Sequence, residues 1–262
     1  MTTPQDVVFI TGASSGIGQA VARTFVRKGA RVVGTGRRRK RLDDLANELG
    51  ENFWPVELDI TDVEAATTKV AAIPAEFSDT SILVNSAGLA RGLDRAQNAL
   101  WDDAAAMIDT NIRGTVAITS LLLPGMVARG RGHVINLGSV AADTPYAGGN
   151  VYGGTKAFIR QWSLNLKADL LGTPVRVTCI EPGMVRSEYL EVRFRGDRER
   201  AASLYESVDY LTVDDIASLI VAITSLPPRV NVTLLQVMPT EQAHAGYAFA
   251  SSVQLHPAPD PE

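Results

Sequence analysis

The chain has one cysteine, Cys179, among 262 residues. A single thiol excludes an internal disulfide and any multi-cysteine metal site. It lies in the apolar run VRVTCI, where a buried, unreactive thiol is expected. A chain without disulfides fits a cytoplasmic location. Histidine is almost as scarce. His133 opens an apolar run, His256 lies near the C-terminus, and no two of the three form a metal-ligand pattern, so no metal is expected. We find no uninterrupted apolar stretch long enough to span a bilayer, and no membrane partner is expected. The polar start MTTPQD runs straight into an apolar strand and lacks the features of a signal peptide. Basic residues are not in excess either: the net charge is −4. Nucleic-acid backbones need broadly distributed Lys and Arg, so no nucleic-acid partner is expected.

What is present is a core. Hydrophobic residues make up 45% of the chain, which suits one large globular domain. Short β-branched runs at 6–11, 31–35, 53–58, 81–85, 132–138, 174–181 and 231–237 read as strands. Helical periodicity fills most of the gaps, as in Leu42, Leu45, Ala46 and Leu49. Alternation of this kind predicts an α/β fold, a single doubly wound Rossmann domain. Its sheet has seven, mainly parallel strands and helices on both faces. The domain is expected to span 1–246, with a charged segment at about 187–214 covering the ligand cleft. A plain surface excursion is the alternative for that segment. The Pro-rich, acidic tail, 247–262, is expected to be partly disordered.

The run ITGASSGIG passes from the first strand into a helix and places Gly12, Gly16 and Gly18 in a G-x-x-x-G-x-G pattern. Glycines there permit a tight turn, close approach of backbone amides to a pyrophosphate, and close helix packing. Its position at a strand end and helix start points to a dinucleotide. Five cationic residues follow the second strand, Arg37 to Arg41. Folds of this kind that prefer NAD carry an acidic residue at that strand end to bind the ribose 2′-OH. Here the position is Gly36, followed by Arg37, so nothing repels a 2′-phosphate and a guanidinium is at hand to bind it. NADP(H) is therefore the expected cofactor. Arg37 and Arg38 are assigned to the phosphate, and Arg39, Lys40 and Arg41 to a solvated helix face. Asp59 follows the third strand and suits either the adenine amino group or a helix cap, a role Thr61 or Asp62 could also fill.

VYGGTKAF sets Tyr152 and Lys156 four residues apart, on one helical face. Ser139 closes the fifth strand, and Asn111 lies in a helical segment. Hydride transfer to or from an alcohol carbon needs a group that takes or gives the hydroxyl proton. A phenol ionising near ~10 needs ~4 kcal/mol of differential stabilisation to act near neutrality. A neighbouring ammonium and a cationic nicotinamide can supply it. Ser139 would hold the substrate oxygen, and Asn111 would order a water relaying protons from Lys156.

With TGASSGIG, NSAG, Asn111, Ser139, YGGTK and EPG in this order, the chain resembles the short-chain dehydrogenase/reductase family from Val7 to about Gly246. The resemblance implies catalytic Ser139, Tyr152, Lys156 and Asn111. It also implies cofactor contacts from Gly12, Ser14, Ser15, Gly16, Ile17 and Gly18, from Asp59 and Ile60, and from Asn85, Ala87 and Gly88. Further contacts are implied for Tyr152, Lys156, Pro182, Gly183, Val185 and Ser187. Ser86 departs from the second Asn usual in NNAG, which bears on local hydrogen bonding between central strands. Family members commonly form homo-oligomers through two long helices, here near 101–129 and 150–171, and a tetramer is favoured over a dimer.

PYAGGNVYGGTKAFIRQWSLNL, VRF, LPPRVNV and MPTEQ look similar to the NADP-dependent 3-hydroxy acid dehydrogenase branch. That branch includes serine dehydrogenase, malonic semialdehyde reductase and sulfoacetaldehyde reductase. A small alcohol or aldehyde with an anionic end is the implied substrate. Its anion needs a fixed cation. Arg193, Tyr146 and Gln242 form the expected pocket with Ser139 and Tyr152, and Arg186 and Arg91 compete with Arg193 for the anion. A bulkier ketone or a 3-oxoacyl substrate is the alternative, and a non-catalytic NADP(H) sensor is a third reading.

Overall fold

The β-branched runs become strands where their alternation demands it. The computed structural model describes residues 6–205 and 209–244. Its first half runs Val7–Thr11 (β1), Gly16–Arg27 (α1), Arg31–Gly36 (β2), Arg39–Leu49 (α2), Phe53–Glu57 (β3), Val63–Ala71 (α3), Ala75–Ser78 (α4) and Thr80–Asn85 (β4). A long helical run follows: Trp101–Ile108 (α5), a π-helical segment Asp109–Gly114, and Thr115–Ala128 (α6). Then come Gly132–Leu137 (β5), Asn150–Asp169 (α7), Val175–Pro182 (β6), Val185–Arg186 (β7), Tyr189–Arg193 (α8) and Arg198–Tyr205 (α9). Leu211–Thr212 (β8), Val213–Thr224 (α10) and Leu234–Val237 (β9) complete the described chain. The expected tail, 247–262, lies outside the described residues.

Seven strands form one sheet in the order β3-β2-β1-β4-β5-β6-β9, and every pairing is parallel. Strand β1 leads outward to β2 on one side and lies beside β4 on the other. That reversal is the switch point at which such sheets bind ligands, beyond the carboxyl ends of the strands. The two-residue alternation of β1 divides the core. Val8 and Ile10 face one layer, with Phe25 of α1, Leu42 of α2 and Ile216 and Ile220 of α10. Val7 and Phe9 face the other, with Ile118, Leu122 and Met126 of α6. Full burial of a side chain such as Phe25 or Ile118 contributes roughly 1.5–3 kcal/mol.

Each of the seven expected strands is found, most with an end moved by a single residue. The third strand stops at Glu57. The last pairs only from Leu234, because the Asn231 side chain takes over the pairing before it. Its Oδ1 accepts from Val177 N at 2.8 Å and its Nδ2 donates to Val177 O at 3.0 Å. The run Trp101–Ala128 also departs from expectation, being long and apolar enough to cross a membrane by length and composition. Its inner face is committed to the sheet through Ile118, Leu122 and Met126. The expected covering segment folds as α8 and α9 and is tied in by the parallel β7–β8 pair. Thr212 and Asp215 then form a capping box at the start of α10.

Candidate active site

A cleft of about 700 Å³ opens at the carboxyl ends of β1, β4, β5 and β6. Its floor is the glycine loop. Gly12 and Gly16 have φ of 74° and 54°, the left-handed region that favours glycine. A Cβ on Gly12 would lie 2.9 Å from Ala87 Cα, and one on Gly18 2.5 Å from the Gly12 carbonyl oxygen. Backbone therefore packs on backbone. Gly18 acts through this packing and does not itself line the cleft. Ser15 sits at the N-cap of α1, yet its hydroxyl makes no cap hydrogen bond, which leaves the first-turn amides available to an anion.

The hydroxyls of Ser14 and Ser15 turn instead toward Arg38. Arg38 Nε donates to Ser14 Oγ at 3.3 Å and its Nη2 donates to Ser15 Oγ. A Cβ on Gly36 would stand 2.9 Å from Ser14 Oγ, so glycine at the end of β2 lets the two loops meet. Arg39 pairs with Asp43 one turn on, as a surface helix face would. Arg41 departs from that reading. It lies three residues from Arg38 on one helical side, and both reach Glu188, at 2.6 Å and 2.9 Å. Arg37 is mostly exposed, with Nη1 3.8 Å from Asp59 Oδ2. The other oxygen of Asp59 accepts from Thr61 N and Oγ1 at 3.0 and 2.9 Å and shapes the loop. The cap of α3 is Asp62.

At the end of β4, Ser86, Ala87 and Gly88 line the cleft but Asn85 does not. This corrects the cofactor contact expected of Asn85. Its amide is buried and donates to Thr119 Oγ1 at 2.9 Å and Asn136 Oδ1 at 2.8 Å. Thr11 Oγ1 accepts from the backbone of Ser86 and Ala87 at 3.1 and 3.0 Å. These contacts tie the central strands together without a second Asn at position 86.

Ser139, Tyr152 and Lys156 converge on the cleft. Lys156 is 7% exposed. Its Nζ donates to Leu137 O at 2.8 Å and lies 5.8 Å from the centre of the Tyr152 ring. Ser139 Oγ accepts from Ala141 N at 3.2 Å. Asn111 lies in the π-helical segment, a feature that re-aims side chains. Its Oδ1 accepts from Leu89 N, and its Nδ2 donates to Leu89 O and Thr155 Oγ1. The side chain thus braces the β4 loop against α7.

Arg193 is the least compensated charge of the cleft. It is 5% exposed and lies among three tyrosine rings. Its guanidinium carbon stands 5.3 Å from the Tyr146 ring centre, 5.4 Å from Tyr152 and 6.0 Å from Tyr189. Nη1 donates to Tyr189 Oη at 2.8 Å, while Nε and Nη2 have no partner. Burial works against the cation, but Tyr189 and Tyr146 outweigh it and hold the pKa above the ordinary arginine value. Burial pushes the Tyr146 and Tyr189 hydroxyls up, so both stay protonated. Of the competing arginines, Arg91 lies 3.7 Å from Asp103, and Arg186 does not line the cleft. Gln242 does line it, with its Oε1 accepting from Met184 N at 2.9 Å.

Sequence reasoning missed Tyr189 and Glu188. Tyr189 is legible afterwards as the i,i+4 partner of Arg193 on a short helix. Glu188 meets arginines some 150 residues away and left no local signal. Cys179 is buried as expected, its thiol pushed up to about 12 by burial and by Glu181. Among the described residues, no cluster of His, Cys, Asp or Glu could hold a metal.

Comparison with known proteins agrees with this geometry. The family model described as short chain dehydrogenase matches residues 6–197. The NADP-dependent 3-hydroxy acid dehydrogenase YdfG of Salmonella typhi is 49% identical over 247 residues, covering 94% of this chain and 100% of that protein. Serine 3-dehydrogenase of Agrobacterium fabrum is 50% identical over 240 residues, covering 92% and 96%. A solved structure described as the closed form of serine dehydrogenase complexed with NADP+ superposes with a TM-score of 0.93. It is 46% identical, covering 94% of this chain and 100% of that one.

Proposed function

The chain belongs to the short-chain dehydrogenase family, and we propose that it transfers hydride between NADP(H) and a short 3-hydroxy acid, serine included, or the matching semialdehyde. It is an NADP-dependent oxidoreductase, as its relatives are. The observation that carries the substrate reading is Arg193. A guanidinium that is nine-tenths buried, with its Nε and Nη2 unpartnered, is costly unless an anion meets it. Those two groups form one edge of the fork, which suits a carboxylate held by two hydrogen bonds. The same edge accepts a sulfonate, which brings sulfoacetaldehyde into the candidate set. A bulky ketone or a 3-oxoacyl chain would leave the edge without an anionic partner.

The cleft also fits the cofactor. NADP(H), when bound, supplies or takes the hydride. The glycine loop and the first turn of α1 would hold its pyrophosphate. Arg37, Arg38 and Ser14 stand where a ribose 2′-phosphate belongs. Ser139 donates a hydrogen bond to the substrate oxygen. The Tyr152 hydroxyl gives that oxygen a proton in reduction and takes it back in oxidation. Lys156 sets a buried ammonium beside the phenol. Asn111 and Thr155 fix α7 against the β4 loop, and Arg193 turns the substrate so that its hydroxyl faces Tyr152.

The test is a nicotinamide absorbance screen over small semialdehydes, sulfoacetaldehyde, serine and 3-hydroxy acids. Turnover of bulky ketones and none of these would overturn the reading. Tyr152→Phe is expected to lose at least about 10²-fold in kcat while still binding NADP+. A variant with unchanged kcat would remove Tyr152 from the proton transfer.

A further inference from the structure

One contact crosses the cofactor side of the cleft without serving hydride transfer. Glu188 immediately precedes α8, and its carboxylate accepts from Arg38 Nη1 at 2.9 Å and from Arg41 Nη1 at 2.6 Å. Arg38 also rests on the Ser14 and Ser15 hydroxyls, so each of its three nitrogens already has an acceptor. The 2′ substituent of the adenosine ribose belongs at the end of β2, beside Gly36, Ser14 and Arg38. A carboxylate and a phosphate take the same charge-assisted bonds from guanidinium and repel one another. Burial acts against the Glu188 charge, but its bonds to Arg38 and Arg41 prevail and hold its pKa below the ordinary carboxylate value. The group is therefore an anion at neutral pH.

We infer that Glu188 is an internal competitor of the cofactor's 2′-phosphate for Arg38, and so sets how strongly the enzyme favours NADP(H) over NAD(H). The inference rests on the reading of Arg37 and Arg38 as the 2′-phosphate site. A cofactor without the phosphate leaves the Glu188 pairs intact, whereas one with it must displace or share them. Exposed ion pairs are modest in strength, and side chains here are 40–44% exposed, so removing the competitor is expected to tighten phosphate binding about three- to fivefold.

The experiment is calorimetric titration of the wild-type protein, Glu188→Gln and Arg38→Ala with 2′,5′-ADP and with 5′-AMP, neither of which can turn over. Glu188→Gln is expected to bind 2′,5′-ADP about three- to fivefold more tightly and 5′-AMP unchanged. Unchanged 2′,5′-ADP affinity overturns the inference. Weaker affinity overturns it too, and would show that Glu188 orders the arginines for the phosphate. If the wild-type protein does not prefer 2′,5′-ADP, or Arg38→Ala keeps the preference, the phosphate site itself is misplaced and the inference falls with it.

Discussion

Arg193 is a buried cation in the cleft. Its cation is held by three tyrosine faces and one hydroxyl, and two of its nitrogens face no acceptor. Arg193→Ala is expected to raise the substrate KM about 10²-fold, in line with losing charge-assisted hydrogen bonds worth roughly 1.5–3 kcal/mol each. The KM for NADP(H) should move less than about twofold. Arg193→Lys keeps the charge but not the fork, and should still raise the substrate KM about tenfold. Equal changes in both KM values would remove Arg193 from the substrate site. The burial of Arg193 was not legible in the sequence. An arginine in VRFRGD stands among other arginines, and nothing local says which is buried. Ser139, Tyr152 and Lys156 were legible because their spacing and order alone bring them to one strand end and one helix face. Asn85 was legible as important but not as to role, and the packing of Asn111 was not legible at all. Their amides turn inward to protein partners, and that choice depends on Thr119, Asn136 and Thr155 from elements distant in sequence.

At the scale of elements, the pattern of short apolar runs was enough for the sheet, because strands buried on both faces must be apolar throughout. It fell short at the edge, where the Asn231 side chain stands in for a strand residue. The β1–loop–α1 unit makes its own prediction. Gly18→Ala puts a methyl 2.5 Å from the Gly12 carbonyl oxygen, a backbone atom that cannot swing aside. We expect the Kd for NADP+ to rise more than about tenfold and stability to fall about 1–3 kcal/mol, read by titration and thermal melts. Strand β5 makes a second. His133 is 2% exposed, and burial, with Arg176 beside it, pushes its pKa down to about 3 from 6.5. Between those values the unfolded chain binds a proton that the native one refuses. The stability from this group is therefore full above the unfolded value and is lost as pH falls toward the folded one. Lowering pH from 6.5 to 5 should cost about 1.7 kcal/mol through His133 alone. The unfolding free energy of His133→Leu, from urea titrations, should be that much less sensitive over the same interval. An identical pH slope in both proteins would show that the ring is not kept neutral by the fold.

At the scale of the molecule, the outer faces of the long helices carry apolar surface that the sheet does not use. Leu100 and Trp101 are 52% and 74% exposed where α5 begins, and Ile108 and Val127 are partly open along the same run. On α7, Phe158 is 39% exposed and stacks on Trp162, with ring centres 6.5 Å apart and planes 14° from parallel. The apolar length of Trp101–Ala128 reflects two burial demands on one helix. Ile118, Leu122 and Met126 face the sheet and Met107 packs with Tyr152, while Trp101, Ile108 and Val127 are open to the outside. Large exposed apolar side chains on the outer faces of such helices suit association with another protein surface. We therefore propose a homo-oligomer, a tetramer in preference to a dimer, that covers the α5–α6 and α7 faces with further copies of the chain. Light scattering on the wild-type protein should give a mass four times the 28.0 kDa of one chain. Phe158→Arg should lower that mass by placing an unpaired cation in an apolar interface. Phe158 lies on the outside of α7 and away from Tyr152 and Lys156, so the variant should still bind NADP+. A wild-type protein that runs as a monomer, or a Phe158→Arg variant with unchanged mass, would show that the apolar faces of α5 to α7 are not joined through this helix.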